Sequence, residues 1–325
     1  MQQATRMAVE SRGELAIRHP SPAIVLVGPT ATGKTALAVR LARRLGGVEL
    51  LNADSRQVLR GLHIGTNAPT AEDLEGVPCH LLGIADPGAP FSVADWLAAA
   101  RRCLADLDSR GVLPIVVGGT GLYVRALIDG LDLEGAAPDP ARRAALNSQA
   151  GSPEGLAGLA AELRRRDPEG AAAIDLRNPR RVVRALEIVE DRGSLGARGG
   201  GAALPSVRIG LDAPAELHRR WIADRARRMM EGGLLDETAA ALRRGVSAEA
   251  LDGAGIGYRE AKEVLDGRIT KAGACAAIVR RTLRYAKAQR TWFRADRDTV
   301  WLHREGDDDL DEVAARALAV AGGRP

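Results

Sequence analysis

Cysteine is scarce in this chain, and its three residues, Cys79, Cys103 and Cys275, form no C-x-x-C pair. Disulfide frameworks and zinc sites depend on paired or closely spaced cysteines, so the sequence excludes both. No apolar run reaches the length of about 20 residues that a membrane-spanning helix needs. Residues 1–22 are polar and lack the apolar segment of a signal peptide, which predicts a disordered extension. These absences indicate a cytoplasmic protein with no membrane partner.

A large excess of one charge is also absent. The 46 lysines and arginines oppose 42 aspartates and glutamates, which leaves a formal net charge of +4. Lysine is rare among the basic residues, and the abundance of arginine, alanine and glycine is typical of GC-rich coding. The overall charge therefore says little about partners, and local clusters of basic residues say more.

The most informative segment, residues 28–35, matches the pattern G-x-x-x-x-G-K-[ST]. An apolar strand pattern precedes it at 23–27, and a helical pattern follows at 36–42. A strand, a glycine loop and a helix together form a phosphate cradle, because backbone N–H groups and the helix N-terminus point at the anion. Lys34 adds charge for the terminal phosphates, and Thr35 offers a hydroxyl to Mg²⁺. The predicted phosphate-binding residues are Gly28, Thr30, Ala31, Thr32, Gly33, Lys34 and Thr35.

A second apolar strand is predicted at 48–52, and Asp54 follows its carboxyl end. In open parallel α/β sheets this edge holds the ligand, so Asp54 is expected to face the phosphate loop. The residue type leaves three roles open. Asp54 is a ligand of Mg²⁺, a general base, or the N-cap of a helix, a position that aspartate and serine favour.

A third buried strand, 113–117, is followed by Gly118, Gly119 and Thr120. The glycines allow the backbone to approach a ligand closely. Many P-loop hydrolases end this strand with an acidic residue for Mg²⁺, and this chain has none there. Asp54 is therefore the better candidate for chemistry near a metal ion.

The segment 278–294 carries six basic residues, no acidic one, and the aromatic residues Trp292 and Phe293. Four of its cations are expected to share one helical face, namely Arg280, Arg284, Lys287 and Arg294. A face of one charge sign with aromatics favours nucleic-acid binding. The alternative is a solvated helix whose tryptophan lies in the core.

Strand and helix patterns alternate over 23–128, as a parallel sheet requires. Residues 131–205 lack strand patterns, which predicts a helical insertion over 138–191 followed by a glycine-rich loop at 196–203. The later elements are predicted as a strand at 207–211, helices over 214–294, a strand at 299–302 and a helix at 307–321.

These patterns predict an α/β fold of the P-loop NTPase type, with a parallel sheet flanked by helices and a helical insertion domain. The predicted divisions are the extension 1–22, the core 23–130 and 206–325, and the insertion 131–205.

Across residues 22–302, the chain resembles the tRNA dimethylallyltransferase (tRNA isopentenyltransferase, IPP transferase) family of the bacterial type. The segments that carry the resemblance are 28–35, 52–57, 61–66, 91–96, 118–123, 178–187, 225–234, 255–260 and 285–294. The resemblance implies an enzyme that transfers a dimethylallyl group from dimethylallyl pyrophosphate to the exocyclic N6 amine of an adenosine beside the tRNA anticodon. It implies Asp54 as the catalytic base, with Arg225 close to Asp54 and the donor, and Thr120 at the reaction channel.

The resemblance also implies contacts with tRNA. Ser55, Arg56 and Gln57 follow the base directly and are expected at the anticodon loop. The other predicted tRNA-binding residues are Arg143, Arg180, Arg181, Arg184, Arg280, Arg284 and Lys287. For the arginines of the insertion the alternative is a helix salt bridge, for example between Arg184 and Glu187.

Mg²⁺ is the expected cofactor, Thr35 its expected ligand, and a monomer the expected state. Two other activities share the phosphate loop. A small-molecule kinase of the P-loop type would use ATP, and an adenylate isopentenyltransferase would use a free nucleotide as acceptor. The insertion and the basic segments favour RNA as the acceptor.

Overall fold

The computed structural model describes residues 22–131, 139–196 and 203–322. The predicted N-terminal extension, apart from residue 22, and most of the predicted glycine-rich loop lie outside these ranges. The chain divides into two compact units, the first made of Met1–Asp129 and Ala202–Pro325 and the second of Gly130–Gly201.

The first unit is built on a six-stranded sheet with the order β3-β2-β4-β1-β5-β6, in which every neighbouring pair is parallel. The strands are β1 Ala23–Val27, β2 Val48–Asn52, β3 Cys79–His80, β4 Leu113–Val117, β5 Ser206–Asp212 and β6 Val300–His303. Strands β1 and β4 are short apolar runs rich in valine and isoleucine, as expected where helices cover both faces. The predicted α/β fold is therefore confirmed.

Fourteen helices are present in the described part of the chain. Helices α1 Lys34–Leu45, α2 Ala71–Leu74, α3 Val93–Ser109 and α4 Gly121–Ile128 alternate with the first four strands. The second unit contains α5 Pro140–Gln149, α6 Pro153–Arg166, α7 Pro168–Ala172 and α8 Pro179–Arg192. The first unit continues with α9 Ala215–Glu231, α10 Leu234–Arg243, α11 Ala248–Ala254, α12 Tyr258–Leu265, α13 Lys271–Arg294 and α14 Leu310–Gly322.

Two apolar clusters hold the first unit together. One joins the sheet to α1 and α14 and includes Leu26, Leu50 and Ile209. The other joins α9 to α13 and includes Leu234, Tyr258 and Ile278. The second cluster packs α9 and α13 against each other, and both helices contact the phosphate loop at Thr30.

Two details differ from the sequence predictions. The two-residue edge strand β3 was not predicted, because Cys79 and His80 are too few to show a strand pattern. The last helix begins at Leu310, three residues later than predicted. The Asp309 carboxylate accepts hydrogen bonds from the backbone N–H groups of Glu305 and Gly306 and from the Arg304 guanidinium. These bonds hold the segment before α14 in a turn.

Candidate active site

A cavity of about 730 Å³ opens at the carboxyl ends of the central strands. The loop after β1, Asp54 after β2, and Gly118 and Gly119 after β4 all line it. This is the edge where parallel α/β sheets bind ligands, since the loops that follow neighbouring strands meet there. Helices α9 and α13 supply the opposite wall, with Ile222, Met229 and Ile278 among its apolar residues.

Glycines set the conformation of the phosphate loop. Gly28 has φ 135°, and a Cβ atom there would lie 2.3 Å from the carbonyl oxygen of Leu211. Gly33 has φ 89° and is the N-cap of α1, with no side-chain capping bond. The first N–H groups of α1 are therefore left for an anion, as in phosphate sites at helix N-termini.

Lys34 extends from the first turn of α1 back across the loop. Its Nζ donates to the carbonyl oxygen of Pro29 at 2.7 Å. Desolvation in the cavity wall lowers the pKa of Lys34 to about 8, against the opposing effect of the Asp54 charge. No carboxylate among the described residues forms an ion pair with this ammonium group, so its charge is left for a ligand. Thr35 also lines the cavity.

Asp54 lies two residues beyond β2 and begins a turn. Its Oδ1 accepts the N–H of Arg56 at 2.9 Å, and its own N–H donates to Oδ1 of Asn52 at 3.3 Å. The next helix, α2, begins only at Ala71, so Asp54 is no helix N-cap. Of the three roles that the sequence leaves open, the N-cap is excluded, and the carboxylate faces the cavity.

Arg225, on α9, lies against the phosphate loop. Its Nη1 donates to Oγ1 of Thr30 at 2.5 Å. Desolvation lowers the pKa of Arg225 to about 10, and the nearby charge of Asp54 opposes that shift. The structure thus brings Arg225 to the same cavity as Asp54 and Lys34, and its direct hydrogen bond is to the loop.

Thr120 connects the loops that follow β2 and β4. Its Oγ1 accepts the N–H of Ser55 at 2.8 Å and donates to the Ser55 hydroxyl at 3.1 Å. Arg56 donates to the carbonyl oxygen of Gly253, and Gln57 donates to that of Asn67 at 2.8 Å. Arg56 and Gln57 line the cavity, whereas Ser55 and Thr120 do not. The Thr120 hydroxyl is therefore engaged in holding the turn beside Asp54.

A buried polar network, which sequence reasoning missed, supports the loop from behind. Asp212 ends β5 and accepts two hydrogen bonds from Arg290, at 2.8 and 2.7 Å. Arg290 also donates to Nδ1 of His218, which leaves Nε2–H to donate to the carbonyl oxygen of Thr30 at 2.8 Å. Desolvation lowers the pKa of His218, in agreement with a neutral ring. No motif marks these residues, since they are far apart in the sequence.

The basic residues of α13 fall into two groups. Arg281 pairs with Glu260 at 2.8 Å, and Arg290 and Arg294 pair with Asp212. Arg294 thus differs from the other three cations expected on the RNA-binding face, because it has an ion-pair partner; its part in RNA binding stays a prediction. The predicted RNA-binding residues Arg280, Arg284 and Lys287 are exposed, and none of them forms an ion pair within the described part of the chain.

The two aromatic residues of α13 also differ from each other. Phe293 is buried, whereas the Trp292 side chain is 40% exposed. The alternative that places the tryptophan in the core is therefore wrong for Trp292.

The predicted tRNA-binding arginines of the second unit are of two kinds. Arg143 forms two hydrogen bonds with the buried Glu187 carboxylate, at 2.7 and 2.6 Å, and Arg184 forms a third at 3.2 Å. Arg180 and Arg181 are exposed in the first turn of α8. The helix salt bridge that the sequence left open for Arg184 is present.

A metal site made by protein side chains alone does not occur in the described ranges, where no group of three His, Cys, Asp or Glu residues could hold an ion. No helix among the described residues is long and apolar enough to cross a membrane.

The sheet order and the glycine loop define a P-loop α/β protein whose cavity combines an anion cradle, a facing carboxylate and an apolar wall. Comparison with known proteins identifies the family within this class. The IPP transferase family model matches residues 57–296, and the isopentenyl transferase model matches residues 22–82. The chain belongs to the IPP transferase family.

Three similar proteins illustrate the relationship. The tRNA dimethylallyltransferase of Bifidobacterium longum is 42% identical over 299 residues, covering 90% of this chain and 89% of that protein. The crystal structure of the tRNA isopentenylpyrophosphate transferase of Bacillus halodurans is 37% identical, with a TM-score of 0.67 over 93% of this chain and 97% of that chain. A eukaryotic dimethylallyltransferase acting on tRNA shares the fold, at 23% identity and a TM-score of 0.77, over 94% of this chain and 80% of that one.

Proposed function

We propose that this protein transfers a dimethylallyl group from dimethylallyl pyrophosphate to the exocyclic N6 amine of an adenosine beside the tRNA anticodon. The observation that carries the proposal is the cavity in which Lys34, Arg225 and Asp54 meet an apolar wall. The cations and loop N–H groups suit a pyrophosphate, and the apolar wall suits a short branched hydrocarbon chain. Membership of the IPP transferase family supports the same donor class.

In the proposed reaction, a bond forms between the adenine N6 atom and the allylic carbon, and the bond from that carbon to the pyrophosphate oxygen breaks. Pyrophosphate leaves with the bonding electrons. The loop N–H groups, Lys34 and Arg225 stabilise the charge that develops on it, which is electrostatic stabilisation of the transition state. The amine proton passes to the Asp54 carboxylate.

Mg²⁺ is proposed as the cofactor. The ion is typically bound through few protein oxygens together with phosphate oxygens and water. The Thr35 hydroxyl lines the cavity and has no protein partner among the described residues, so it suits this role. Bound there, the ion would offset negative charge on the leaving pyrophosphate.

For the acceptor, we propose that tRNA contacts the exposed cations of the two units. Arg280, Arg284 and Lys287 on α13 are the candidates in the first unit, and Arg180 and Arg181 those in the second. Cations without a carboxylate partner can neutralise phosphates at little cost. An enzyme that modifies an adenine amine also takes the base out of its stack, and a single-stranded anticodon loop makes this easier.

The test is a transfer assay with purified protein, Mg²⁺, radiolabelled dimethylallyl pyrophosphate, and either tRNA, AMP or no acceptor. Label in tRNA alone is the expected result. Label in AMP would identify an adenylate isopentenyltransferase. Phosphorylation of a small molecule by ATP would identify a kinase, the other activity that the phosphate loop permits.

A further inference from the structure

Every polar group of one phosphate-loop residue, Thr30, is bound by the helices that follow β5. Its N–H donates to Oε1 of Gln289 at 2.8 Å, and its carbonyl oxygen accepts from Nε2 of His218 at 2.8 Å. Its hydroxyl accepts from Nη1 of Arg225 at 2.5 Å. In this arrangement the Thr30 N–H is engaged with Gln289, so the loop N–H groups that remain for a phosphate belong to the residues after it.

The side-chain amide of Gln289 spans two loops. Its Oε1 accepts from Thr30 in the loop after β1, and its Nε2 donates to the carbonyl oxygen of Gly119 in the loop after β4, also at 2.8 Å. One end meets a donor and the other an acceptor, so only one orientation of the amide satisfies both bonds. Gln289 is 5% exposed, and a buried amide that loses a partner is destabilised.

The Gly119 end of this bridge lies next to Asp54. A Cβ atom at Gly119 would lie 2.4 Å from Nε2 of Gln289 and 3.5 Å from Oδ2 of Asp54. Because glycine has no side chain, the Gln289 amide and the Asp54 carboxylate can both lie close to residue 119. Gln289 therefore joins the loop that would hold the leaving group to the turn beside the proposed base.

We infer that Gln289 is a positioning residue for the transfer reaction, and that its amide fixes the distance between the phosphate loop and Asp54. This inference depends on the proposed function for its chemistry. Transfer requires the leaving group, the allylic carbon and the base to be aligned together, and a small misplacement of one group lowers the rate strongly. A bridge that touches both loops at once is suited to this alignment.

Two substitutions separate positioning from folding. Gln289→Met keeps the size of the side chain and removes both hydrogen bonds. Gln289→Glu is close in shape, and its protonated carboxyl can accept from Thr30 and donate to Gly119, whereas its ionised form repels the Gly119 carbonyl oxygen. Thr291→Ala, on the exposed side of the same helix, is the matched control. Calorimetry would measure pyrophosphate binding, and single-turnover assays would measure transfer to tRNA.

We expect Gln289→Met to lower the transfer rate roughly 10- to 100-fold, the effect of leaving a buried polar group without its partner, and to weaken pyrophosphate binding. The rate of Gln289→Glu, divided by that of the native protein at each pH, should rise as the pH falls. The native protein has the same other ionisable groups in this cavity and network, namely Lys34, Asp54, His218, Arg225 and Tyr285. A pH dependence that appears only in the ratio therefore requires the new carboxyl group.

The inference is overturned if Gln289→Met retains native transfer and pyrophosphate binding. It is also overturned if both variants lose activity equally at every pH, in parallel with a lower melting temperature, since a role in folding alone predicts that result. If the native protein binds pyrophosphate and transfers nothing to tRNA, the proposed function fails. The pyrophosphate affinities of the variants would still test the bridge.

Discussion

The cations at the carboxyl ends of the strands and the cations of the second unit differ in their surroundings. Lys34 and Arg225 are half-buried in the cavity wall and form no ion pair with a carboxylate in the described part of the chain. Desolvation lowers the pKa of both. In the second unit, Arg143 and Arg184 share the Glu187 carboxylate.

The comparison shows which cations are prepared for a ligand. A desolvated cation without a counter-charge is costly, and an anionic ligand removes that cost. A paired surface arginine has a counter-charge already and gains less from a second anion. The exposed cations of α13 lie between these cases, since they are solvated and without a partner. Substitutions of cavity residues should therefore have the largest effects on the transfer rate and on pyrophosphate binding.

Asp54→Asn should have the largest effect on the rate of transfer. The substitution keeps the shape of the side chain and removes the proposed base. We expect the single-turnover rate to fall by about 10²- to 10⁴-fold, the usual contribution of a general base, while the dissociation constants for donor and tRNA change little. Rapid-quench measurements with saturating donor would check this. A variant that loses donor affinity and recovers its rate at high Mg²⁺ would show that Asp54 belongs to the metal site.

Pyrophosphate binding should depend on pH through Lys34. Because the pKa of Lys34 in the free protein is lowered to about 8, the ammonium form dominates below that pH and the neutral amine above it. The affinity should fall by up to about tenfold per pH unit as the pH rises above 8. Calorimetry from pH 6.5 to 9.5 would measure it. Lys34→Ala, titrated in parallel, reports the contribution of every other group, and an identical slope in both proteins would contradict the prediction.

The exposed face of α13 should contribute to RNA affinity and leave donor binding unchanged. Replacing Arg280, Arg284 and Lys287 together by glutamine should raise the KM for tRNA. It should also reduce the salt dependence of binding by about one unit of log–log slope for each cation that contacts a phosphate. Filter binding at several salt concentrations would measure both.

The matched control for this experiment removes the same charge elsewhere. Replacing Arg40, Arg43 and Arg44 on α1 by glutamine also removes three positive charges. These arginines pair with Asp311 and Glu75, so they are not expected to bind RNA. Equal losses of tRNA affinity in both triple variants would mean that only the overall charge matters.

The smallest effect is expected for Arg184→Gln in the helical unit. Arg184 is half-exposed, and the buried Glu187 carboxylate keeps two hydrogen bonds from Arg143 when Arg184 is replaced. We therefore expect a change in stability of about 0.5 kcal/mol or less, as for exposed helix pairs. We expect Arg180→Gln, which removes an unpaired cation, to weaken tRNA binding more than Arg184→Gln does. Thermal melts and binding assays on both variants would check this, and the reverse order would show that the ion pair opens when RNA binds.

Much of the fold was predictable because its signals are local. The glycine loop at 28–35 and the apolar strands around it specify a parallel sheet without any distant contact. The start of α14 was predicted three residues too early because the turn before it depends on Arg304, which binds Asp309 and the carbonyl oxygens of Gly306 and Asp307. A helical pattern in the sequence does not show that side-chain hydrogen bonds will hold the preceding residues in a turn.

The phosphate loop, the place of Asp54 after a strand end, and the family were predictable from the residues alone, because these depend on short motifs with fixed spacing. Which cations are free and which are paired became visible only in the folded chain. Arg284 and Arg290 look alike in the sequence, yet Arg290 meets Asp212 and His218 across the fold. The difference arises because charge pairing depends on distances of a few ångströms between residues far apart in the chain, and those distances exist only after folding.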